Sequence, residues 1–244
     1  GDAGGVAGKL TRLPRSASQS TRHSTTVNGS ALNMDATRII AIRHGETDWN
    51  VATRIQGSTD IALNATGQWQ AQRAAEALRE EQIDAIYSSD LSRAFDTAAA
   101  IARHHSLTVT PSESLRERRF GHFEGLSWQE IEDQYPADAL AWRSRVPTFT
   151  PAGGESLIML RERVQNALSD IASRHLGQHI LIATHGGVLD AIYRLATGQS
   201  LDAPRSWHLG NAAVNRLLWT PGSLTLVSWG EQQHLEPEAP SAAE

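Results

Sequence analysis

The chain has 244 residues and a net charge of −5, which argues against a basic surface for general nucleic-acid binding. It has no cysteine, so disulfides and thiolate metal sites are excluded. No apolar run approaches the roughly 18 residues that a membrane span needs. With 40% hydrophobic and 20% charged residues, the composition is that of an ordinary globular domain. We expect a cytoplasmic protein with neither a nucleic-acid nor a membrane partner.

The two ends of the chain differ from its middle. Residues 1–36 are rich in Gly, Ser, Thr and Arg without periodicity, so we expect a disordered extension. Met34 is the expected natural start, and the stretch before it an over-extended gene model; a transit peptide is the weaker alternative, because no amphipathic pattern runs through it. Residues 231–244 are predicted to be a flexible acidic tail, which leaves 37–230 as a single domain.

Between these ends, apolar runs alternate with helical patterns. The run 38–42 is continuous and β-branched, as suits a strand buried on both faces. The later predicted elements are a helix at 66–81, a strand at 83–89, a helix at 91–105, a strand at 107–111 closed by Pro111, a helix opened by a capping box of Ser127 and Glu130, a helix at 154–177 ended by Gly177, an apolar run at 179–187, a helix at 188–198 and strand-like runs at 212–220 and 224–230. This alternation predicts an α/β fold, a three-layer α/β/α sandwich around a mostly parallel, doubly wound sheet.

Two of the apolar runs stop at a histidine followed by glycine. Arg43, His44 and Gly45 close the first run, and Thr-His-Gly-Gly at 184–187 closes the later one. In doubly wound sheets, ligands bind outside the carboxyl ends of the strands, where both segments fall. Arginine offers donors suited to phosphate, histidine can act as base or nucleophile, and glycine lets the backbone approach a ligand closely. An isolated Arg-His pair is more often an ordinary surface pair. The assignment of a phosphate site therefore depends on further segments of the chain.

Six segments together carry a family resemblance. In chain order they are RHGETDWN (43–50), RIQGSTDIALNATG (54–67), YSSDLSRAFDTA (87–98), LRERRFGHFEG (115–125), GGES (153–156) and THGG (184–187). The set resembles the histidine phosphatase superfamily, whose fold is shared with cofactor-dependent phosphoglycerate mutases. The resemblance covers about residues 37–230 and implies a phosphoglycerate mutase-like fold. No catalytic position departs from the family pattern.

The resemblance also implies a role for each matched residue. His44 is the nucleophile that becomes phosphohistidine, and Glu117 gives a proton to the leaving oxygen. Arg43, Arg93 and His185 surround the phosphoryl group. Asn50, Gln56 and Gly57 are implied to line the phosphate pocket, and Gly186 and Gly187 to help through their backbone amides. Beside the resemblance, we expect Gly45, Glu46 and Thr47 to bind substrate, and Arg118 is a candidate for the substrate's own anionic group.

The implied chemistry is self-consistent. A phosphoryl group in transfer spreads charge over its equatorial oxygens, so positioning and positive charge do most of the work. Two arginines and a histidine supply that charge, and we expect neither a metal nor another cofactor. A carboxylic acid can protonate the leaving alkoxide and then take a proton from the attacking water. We expect one ring nitrogen of His44 to attack while the other donates to a backbone carbonyl, which fixes the tautomer.

Three functions use such a site. Mutases return the phosphoryl group to another hydroxyl and exclude water, whereas phosphatases admit water. In glycolytic mutases a longer, proline-rich insertion helps to cover the site, and the corresponding stretch here, Gly125 to Gly153, is short. We therefore predict a metal-independent phosphomonoester hydrolase of the histidine acid phosphatase type, with a phosphoglycerate mutase as the alternative. A non-catalytic phosphate-ligand binder is the remote alternative, because such proteins usually lose the nucleophile or the acid.

The substrate and the oligomeric state stay open at this point. The partner is expected to be a small-molecule phosphate ester, such as a sugar phosphate, a phosphoglycerate-type acid, phosphoserine or α-ribazole phosphate. Specificity residues are expected within 120–152 and near 205–215, where Arg143, Arg145 or Arg205 either reads a second anionic group or is a solvated charge. The run 211–219 could pair strands between subunits, so a homodimer is open.

Overall fold

The computed structural model describes residues 35–237. The strands are β1 (Thr37–Arg43), β2 (Ala85–Ser89), β3 (Val109–Ser112), β4 (His179–Thr184), β5 (Val214–Thr220) and β6 (Ser223–Glu231). The α-helices are α1 (Asp48–Val51), α2 (Ala65–Ala77), α3 (Ser92–Ala102), α4 (Trp128–Gln134), α5 (Pro136–Arg143), α6 (Leu157–Ser173) and α7 (Gly186–Thr197). Short 3₁₀ helices lie at Glu113–Leu115, Gly121–Phe123 and Gln233–Leu235. Within the described range, no helix combines the length and apolar character needed to cross a membrane.

The six strands form one sheet in the order β3-β2-β4-β1-β5-β6. The first four of these are parallel to one another, whereas β5 pairs antiparallel with both β1 and β6. The predicted mostly parallel, doubly wound sheet is therefore confirmed. β1 and β4 are adjacent and in register, with Arg43 opposite Thr184. The two His-Gly segments consequently leave the sheet side by side at its carboxyl edge.

Helices cover both faces of the sheet, as the three-layer prediction requires. Successive residues of β1 point to opposite faces, so Ile39 and Ala41 join one hydrophobic cluster while Ile40 and Ile42 join the other. All four are buried, which explains why this run lacks the alternation of a half-exposed strand. Buried helix residues in the two clusters are Ala71, Ala74, Ala75, Ala98 and Ile101 from α2 and α3, and Leu160, Val164, Leu168, Val188 and Ile192 from α6 and α7.

A smaller aromatic cluster lies around α4 and α5. Phe123 and Ile131 are fully buried in it, and Trp142 packs against Phe123 with ring centroids 5.4 Å apart. The predicted capping box opens α4: the Glu130 amide donates to Ser127 Oγ at 3.2 Å, and the Ser127 amide donates to Glu130 Oε2 at 3.0 Å. Helix α5 was not predicted from the sequence.

Two predictions at the sheet edges were wrong. The run 211–219 includes most of β5, which is paired on both sides by β1 and β6, so this strand is not available to join subunits. The edges are β3 and β6. Pro111 lies inside β3 rather than closing it, which an edge strand tolerates because one side of its backbone needs no partner.

Helix α6 begins at Leu157, later than predicted, because the Ser156 side chain caps it by accepting from the Met159 amide.

The boundary of the acidic tail also differs from the prediction. β6 continues through Glu231, and the 3₁₀ helix Gln233–Leu235 follows it. His234 Nε2 donates to the Ala212 carbonyl at 2.8 Å, and Arg73 Nε donates to the His234 carbonyl at 2.9 Å. These contacts hold residues 231–235 against the domain. The rest of the predicted tail, 238–244, and nearly all of the predicted extension, 1–34, lie outside the described residues.

Candidate active site

The carboxyl ends of β1 and β4 place two histidines next to each other. The His44 amide donates to the Thr184 carbonyl at 3.1 Å, and the ring centroids of His44 and His185 are 5.2 Å apart. β1 turns at Gly45 into a loop, whereas β4 passes almost directly into α7, which begins at Gly186. The sheet topology thus joins segments that are far apart in the sequence.

His44 is held in one tautomer by its own neighbour. Its Nδ1 lies 2.6 Å from the Gly45 carbonyl oxygen, which can only accept, so Nδ1 carries the proton and the Nε2 lone pair is free. The predicted contact with a backbone carbonyl is present. Only 2% of His44 is exposed. Burial, and then the charges of Arg43 and Arg93, lower its pKa well below the ordinary value of 6.5. The ring is therefore neutral and nucleophilic at neutral pH.

Gly45 is a glycine because of packing within the protein. A Cβ atom there would lie 2.4 Å from the Gly67 carbonyl oxygen, and a Cβ atom on Gly67 would lie 2.0 Å from the Glu46 carbonyl oxygen. The Gly45 amide donates to Thr97 Oγ1 at 3.0 Å, and its carbonyl holds His44. Both backbone polar groups of Gly45 are used inside the protein, and its close approach to a ligand stays a prediction.

Arg93 stands in the first turn of α3 and is completely buried. Its two terminal nitrogens donate to the carbonyls of Thr59 and Gly57, each at 2.7 Å. Burial lowers its pKa to about 10, against the opposing charges of Glu117 and Asp60, so it stays charged near neutral pH. Its Nε is buried and has no partner among residues 35–237. A buried donor of this kind is available to an anionic ligand.

The turn that accepts from Arg93 is itself held by Glu124. Gly57 has a φ of +55°, and a Cβ atom on it would lie 2.1 Å from Glu124 Oε1. That oxygen accepts from the Ser58 amide at 2.9 Å, and Oε2 accepts from Thr59 Oγ1 at 2.8 Å. Glycine is needed at position 57 both for the left-handed backbone and for this close approach.

Arg43 is the second buried guanidinium of the site. One terminal nitrogen donates to the Leu209 carbonyl, and its buried Nε has no partner in the described part of the chain. Burial lowers the pKa of Arg43, the charge of Glu117 opposes this, and the charge of Arg205 adds to the lowering. Arg43 and Arg93 thus each contribute a positive charge and an unused N–H group.

His185 is oriented by a serine that the sequence analysis quoted without assigning it a role. Its Nε2 lies 2.8 Å from Ser89 Oγ, which already accepts from the Leu91 amide at 3.2 Å. We assign the proton of neutral His185 to Nδ1, because the Ser89 hydroxyl is then free to donate to Nε2. Nδ1 is buried without a partner among residues 35–237. Burial, followed by the charge of Arg93, lowers the pKa of His185 well below 6.5.

Glu117 is fixed by two backbone amides. The Arg118 amide donates to Oε1 at 2.7 Å, and the Gly187 amide donates to Oε2 at 3.0 Å. The Gly187 amide is therefore engaged with the carboxylate, and its help in binding the phosphoryl group stays a prediction. Gly186 differs from its neighbour, since a Cβ atom there would make an ordinary 3.5 Å contact with Arg43.

Glu46 and Thr47, predicted to bind substrate, hold the loop after β1 together. Glu46 Oε1 accepts from Asn64 Nδ2 at 3.0 Å, and the Glu46 amide donates to Gln70 Oε1 at 2.8 Å. Thr47 is fully buried and caps α1, where its Oγ1 accepts from the Asn50 amide at 3.1 Å. These groups are thus engaged within the protein, and the two substrate contacts stay predictions.

Asn50 and Gln56 are oriented by the same threonine. Asn50 Oδ1 accepts from the Thr47 amide at 3.0 Å and from Asn211 Nδ2 at 3.3 Å, and Gln56 Oε1 accepts from Thr47 Oγ1 at 2.7 Å. With both carbonyl oxygens occupied, the side-chain NH₂ groups are the ones left for a ligand. Asn211 also donates to the His44 carbonyl at 3.1 Å. These contacts of Asn211 were not predicted from the sequence, because no motif surrounds this residue.

A cavity of about 420 Å³ opens beside Arg43 and Glu117. Arg118 lines it and is only 3% exposed. Its Nε donates to the Glu155 carbonyl at 2.9 Å, and burial lowers its pKa to about 10. No carboxylate lies within ion-pair distance of its guanidinium among the residues described. The remaining lining residues are Phe120, Trp142, Arg145, Leu157, Leu160, Gly186, Gly187, Asp190, Arg205, Trp207, His208 and Leu209.

The sequence of residues 39–232 matches the family described as the histidine phosphatase superfamily, branch 1. The chain belongs to this superfamily. The family inferred from the six segments is thereby confirmed. No group of three or more histidine or carboxylate side chains in this histidine phosphatase could hold a metal ion, as far as residues 35–237 are concerned.

Named relatives of this histidine phosphatase cover most of its length. It is 40% identical over 208 residues to phosphoglycerate mutase-like protein 4 of Arabidopsis thaliana, covering 84% of this chain and 89% of the relative. It is also 40% identical over 204 residues to the metal-independent phosphoserine phosphatase of that plant, covering 82% of this chain and 84% of the relative. Among solved structures, it resembles the native mycobacterial glucosyl-3-phosphoglycerate phosphatase with a TM-score of 0.73 and 30% identity, covering 81% of this chain and all of the other.

Proposed function

We propose that this histidine phosphatase is a metal-independent phosphomonoester hydrolase acting on a small phosphorylated metabolite through a phosphohistidine at His44. One observation carries the proposal: a buried, neutral His44 with a free Nε2 shares the site with Glu117, a carboxylate fixed by two backbone amides. The relatives named as phosphoserine phosphatase and glucosyl-3-phosphoglycerate phosphatase support ester hydrolysis.

The reaction proceeds in two displacements. First, His44 Nε2 attacks phosphorus, the N–P bond forms, the ester O–P bond breaks, and protonated Glu117 gives its proton to the departing oxygen. Then water attacks phosphorus, the N–P bond breaks with its electron pair returning to Nε2, and the Glu117 carboxylate takes a proton from the water. The products are the alcohol and inorganic phosphate, and both residues regain their starting state.

The surrounding charges stabilise the phosphoryl group in transfer. Arg43 and Arg93 are charged and, among residues 35–237, the Nε of each has no partner; the same holds for Nδ1 of His185, which carries a proton in our assignment. Such preorganised donors are worth more in a buried site than in water, because they need no reorganisation during the reaction. We assign them to the equatorial phosphoryl oxygens.

Several neutral donors complete the proposed phosphate site. The side-chain NH₂ groups of Asn50 and Gln56 are free because their oxygens are engaged with Thr47. We assign both, with the backbone amides of Gly57 and Gly186, to the phosphoryl group, and Arg118 to the substrate beyond it. Only the fold could reveal which end of each amide side chain is left for the ligand.

The phosphoglycerate mutase reaction is the runner-up. One relative is named phosphoglycerate mutase-like, which keeps this candidate in view. The stretch from Gly125 to Gly153 forms α4, α5 and irregular connections, and it lacks the long proline-rich insertion that helps to cover the site in glycolytic mutases. We therefore favour hydrolysis. A non-catalytic binder would not need both the nucleophile and a carboxylate in this arrangement.

The first test is phosphate release from p-nitrophenyl phosphate in excess EDTA. We expect the wild type to be active and His44→Ala to lose at least about 10³-fold in kcat/KM. His104→Ala is the matched control, because His104 is an exposed histidine on the surface. An inactive wild type, or an active His44→Ala variant, would contradict the proposal, and phosphoglycerate isomerisation would then be assayed for the runner-up. The acid phosphatase subtype, a homodimer and a cytoplasmic location stay predictions.

A further inference from the structure

The cavity beside the proposed phosphoryl site has a charged far end that the proposed mechanism does not use. Arg43 and Glu117 form its catalytic end. Asp190 and Arg205 lie in its wall, with the Trp207 ring beside them. A volume of about 420 Å³ is within the range of pockets that enclose small-molecule ligands. It therefore has room for the leaving group of a phosphate ester.

A single carboxylate at this end holds three arginines. Asp190 Oδ2 accepts from Arg145 at 3.0 Å and from Arg194 at 2.9 Å, and Oδ1 accepts from Arg205 at 3.0 Å. Arg194 is one helical turn after Asp190 on α7, Arg145 follows α5, and Arg205 lies in the loop after α7. One negative charge therefore faces three positive charges.

One of the three arginines, Arg194, does not line the cavity, although its NH2 group is buried without a partner among residues 35–237. Arg194 is buried, and its NH1 group donates to the carbonyls of Ser200 at 2.6 Å and Ala203 at 2.8 Å. Arg145 is less fully engaged, because its Nε donates to the Leu201 carbonyl at 2.8 Å and one terminal nitrogen to the carboxylate. Its other terminal nitrogen has no partner in the described part of the chain. Arg145 therefore keeps a donor for a ligand.

Arg205 keeps even more of its donors. Only its Nε is bonded, to Asp190, and both terminal nitrogens lack a protein partner among residues 35–237. Its side chain is 43% exposed. Arg205 and Arg43 line the same cavity, and the charge of Arg205 contributes to lowering the pKa of Arg43, after burial and against Glu117. A planar guanidinium with two free NH₂ groups is suited to bidentate binding of a carboxylate or phosphate.

The cavity and the cluster together have an excess of positive charge. Arg118 adds to it, because its buried guanidinium has no ion pair in the described chain, and its pKa is lowered chiefly by burial and also by the charge of Arg145. Buried charges are expensive without a partner, which an anionic ligand would supply. The arginines are Arg43, Arg118, Arg145, Arg194 and Arg205, against the carboxylates of Glu117 and Asp190.

We propose that Arg145 and Arg205 form a subsite for a second anionic group on the leaving group, with Asp190 as the counter-ion that positions both arginines. The substrates are then phosphate monoesters whose alcohol portion carries a carboxylate or a further phosphate. This assignment rests on the proposed function and deepens it. The aromatic rings of Phe120, Trp142 and Trp207 would border the rest of the leaving group.

Matched pairs of substrates test the proposal. O-phosphoserine has a carboxylate that O-phosphoethanolamine lacks. 3-Phosphoglycerate has a carboxylate where glycerol 3-phosphate has a hydroxymethyl group. Propane-1,3-diol bisphosphate against propyl phosphate tests a second phosphate. We expect kcat/KM to favour the member with the extra anion by about tenfold or more in at least one series. Which series shows the preference tells carboxylate from phosphate.

Variants locate the preference within the cavity. In Arg205→Met and Arg145→Met, we expect the ratio of kcat/KM values within a substrate pair to fall to about threefold or less. The main cause should be a higher KM for the member with the extra anion. Arg143→Met is the matched control: Arg143 is only two residues from Arg145 but pairs with Glu132 and lies over the Trp128 ring, outside the cavity. Arg205 is half-exposed, so its variant keeps the test valid even if Arg145→Met does not fold.

The outcomes separate the subsite from the proposed function. Wild-type hydrolysis of p-nitrophenyl phosphate that depends on His44 tests the function alone. If that activity is present but no wild-type ratio exceeds about threefold, or if both variants retain the wild-type ratio, the subsite is wrong while the function stands. A preference that falls in Arg205→Met and persists in Arg143→Met supports the subsite.

Discussion

The amide nitrogen of Gly187 lies 3.0 Å from Oε2 of Glu117, and a Cβ atom on residue 187 would lie 2.3 Å from Oε1 of the same carboxylate. The proposed proton donor is therefore positioned by the first turn of α7, the helix that follows His185, the second histidine of the proposed site. Its second anchor, the Arg118 amide, is local in the sequence. Glu117 thus depends on one contact that the sequence around it could not indicate.

The first prediction concerns Gly187→Ala. The added methyl group displaces the Glu117 carboxylate, so protonation of the leaving group suffers. We expect kcat/KM for an alkyl phosphate to fall by about 10²-fold, as for loss of general acid catalysis. The kcat/KM for p-nitrophenyl phosphate, which reports the first displacement, should fall less, because nitrophenolate leaves without a proton. Gly186→Ala, whose Cβ has room, should have a smaller effect on the alkyl phosphate. Equal losses on both substrates in Gly187→Ala would contradict this account.

The second prediction concerns Glu117→Gln with p-nitrophenyl phosphate. Formation of the phosphohistidine needs little acid catalysis with this leaving group, but its hydrolysis needs the carboxylate to accept a proton. We expect a burst of about one nitrophenol per active site, followed by a steady state slower by about 10²-fold to 10⁴-fold. Rapid-quench kinetics with p-nitrophenyl phosphate labelled in its phosphoryl group would detect the trapped phosphoprotein. The His44→Ala variant should not form it. A slow steady state without a burst would show that Glu117 does not act in the second step.

The third prediction concerns the protonation of His44 and His185. Because burial and nearby arginines lower both pKa values well below 6.5, we expect both rings to be neutral at pH 6, with His44 protonated on Nδ1 only. Nitrogen NMR of histidine-labelled protein reports this directly, with the urea-unfolded chain as the control. An imidazolium signal from either ring at pH 6 would contradict the prediction.

The same lowered pKa values have a consequence for stability. Below about pH 6.5, His44 and His185 bind protons in the unfolded chain but stay neutral in the folded protein. Hence the free energy of unfolding falls as the pH drops through this value, by up to about 1.4 kcal/mol per pH unit for each proton. Above about pH 6.5 both histidines are neutral in the folded and the unfolded state, so they do not make stability depend on pH. Urea unfolding at pH 8, 6.5 and 5.5 measures the trend, and a stability that is flat below pH 6.5 would refute it.

The fourth prediction concerns the crossing of Gly45 and Gly67. A methyl group in Gly67→Ala would lie 2.0 Å from the Glu46 carbonyl oxygen, so α2 must shift away from the loop after β1. We expect a loss of about 1–3 kcal/mol in the free energy of unfolding, as for other overpacked sites. Gln68→Ala, exposed on the same helix, should change stability by about 0.5 kcal/mol or less. A Gly67→Ala variant as stable as Gln68→Ala would exclude this packing argument.

Sequence patterns were most informative where the cause is local. The unbroken apolar run 38–42 predicted a strand buried on both faces, since side chains on both sides had to be apolar. The capping box of Ser127 and Glu130 predicted the start of α4, because its hydrogen bonds span only three residues. Contacts between residues distant in the chain were predicted poorly. The run 211–219 was taken for an edge strand, since its composition does not reveal that β6 covers its free side.

The sequence by itself determined the family, the order of the elements and the residue types of the candidate site, because motif residues and periodicity can be read from the chain. Only the tertiary structure decided how these residues are used. It showed that Gly45 packs on Gly67, that Gly187 serves Glu117, and that Asn211 reaches His44. The physical reason is that hydrogen bonds and steric contacts depend on distances set by sheet order and helix packing. Those distances do not exist until the fold has formed.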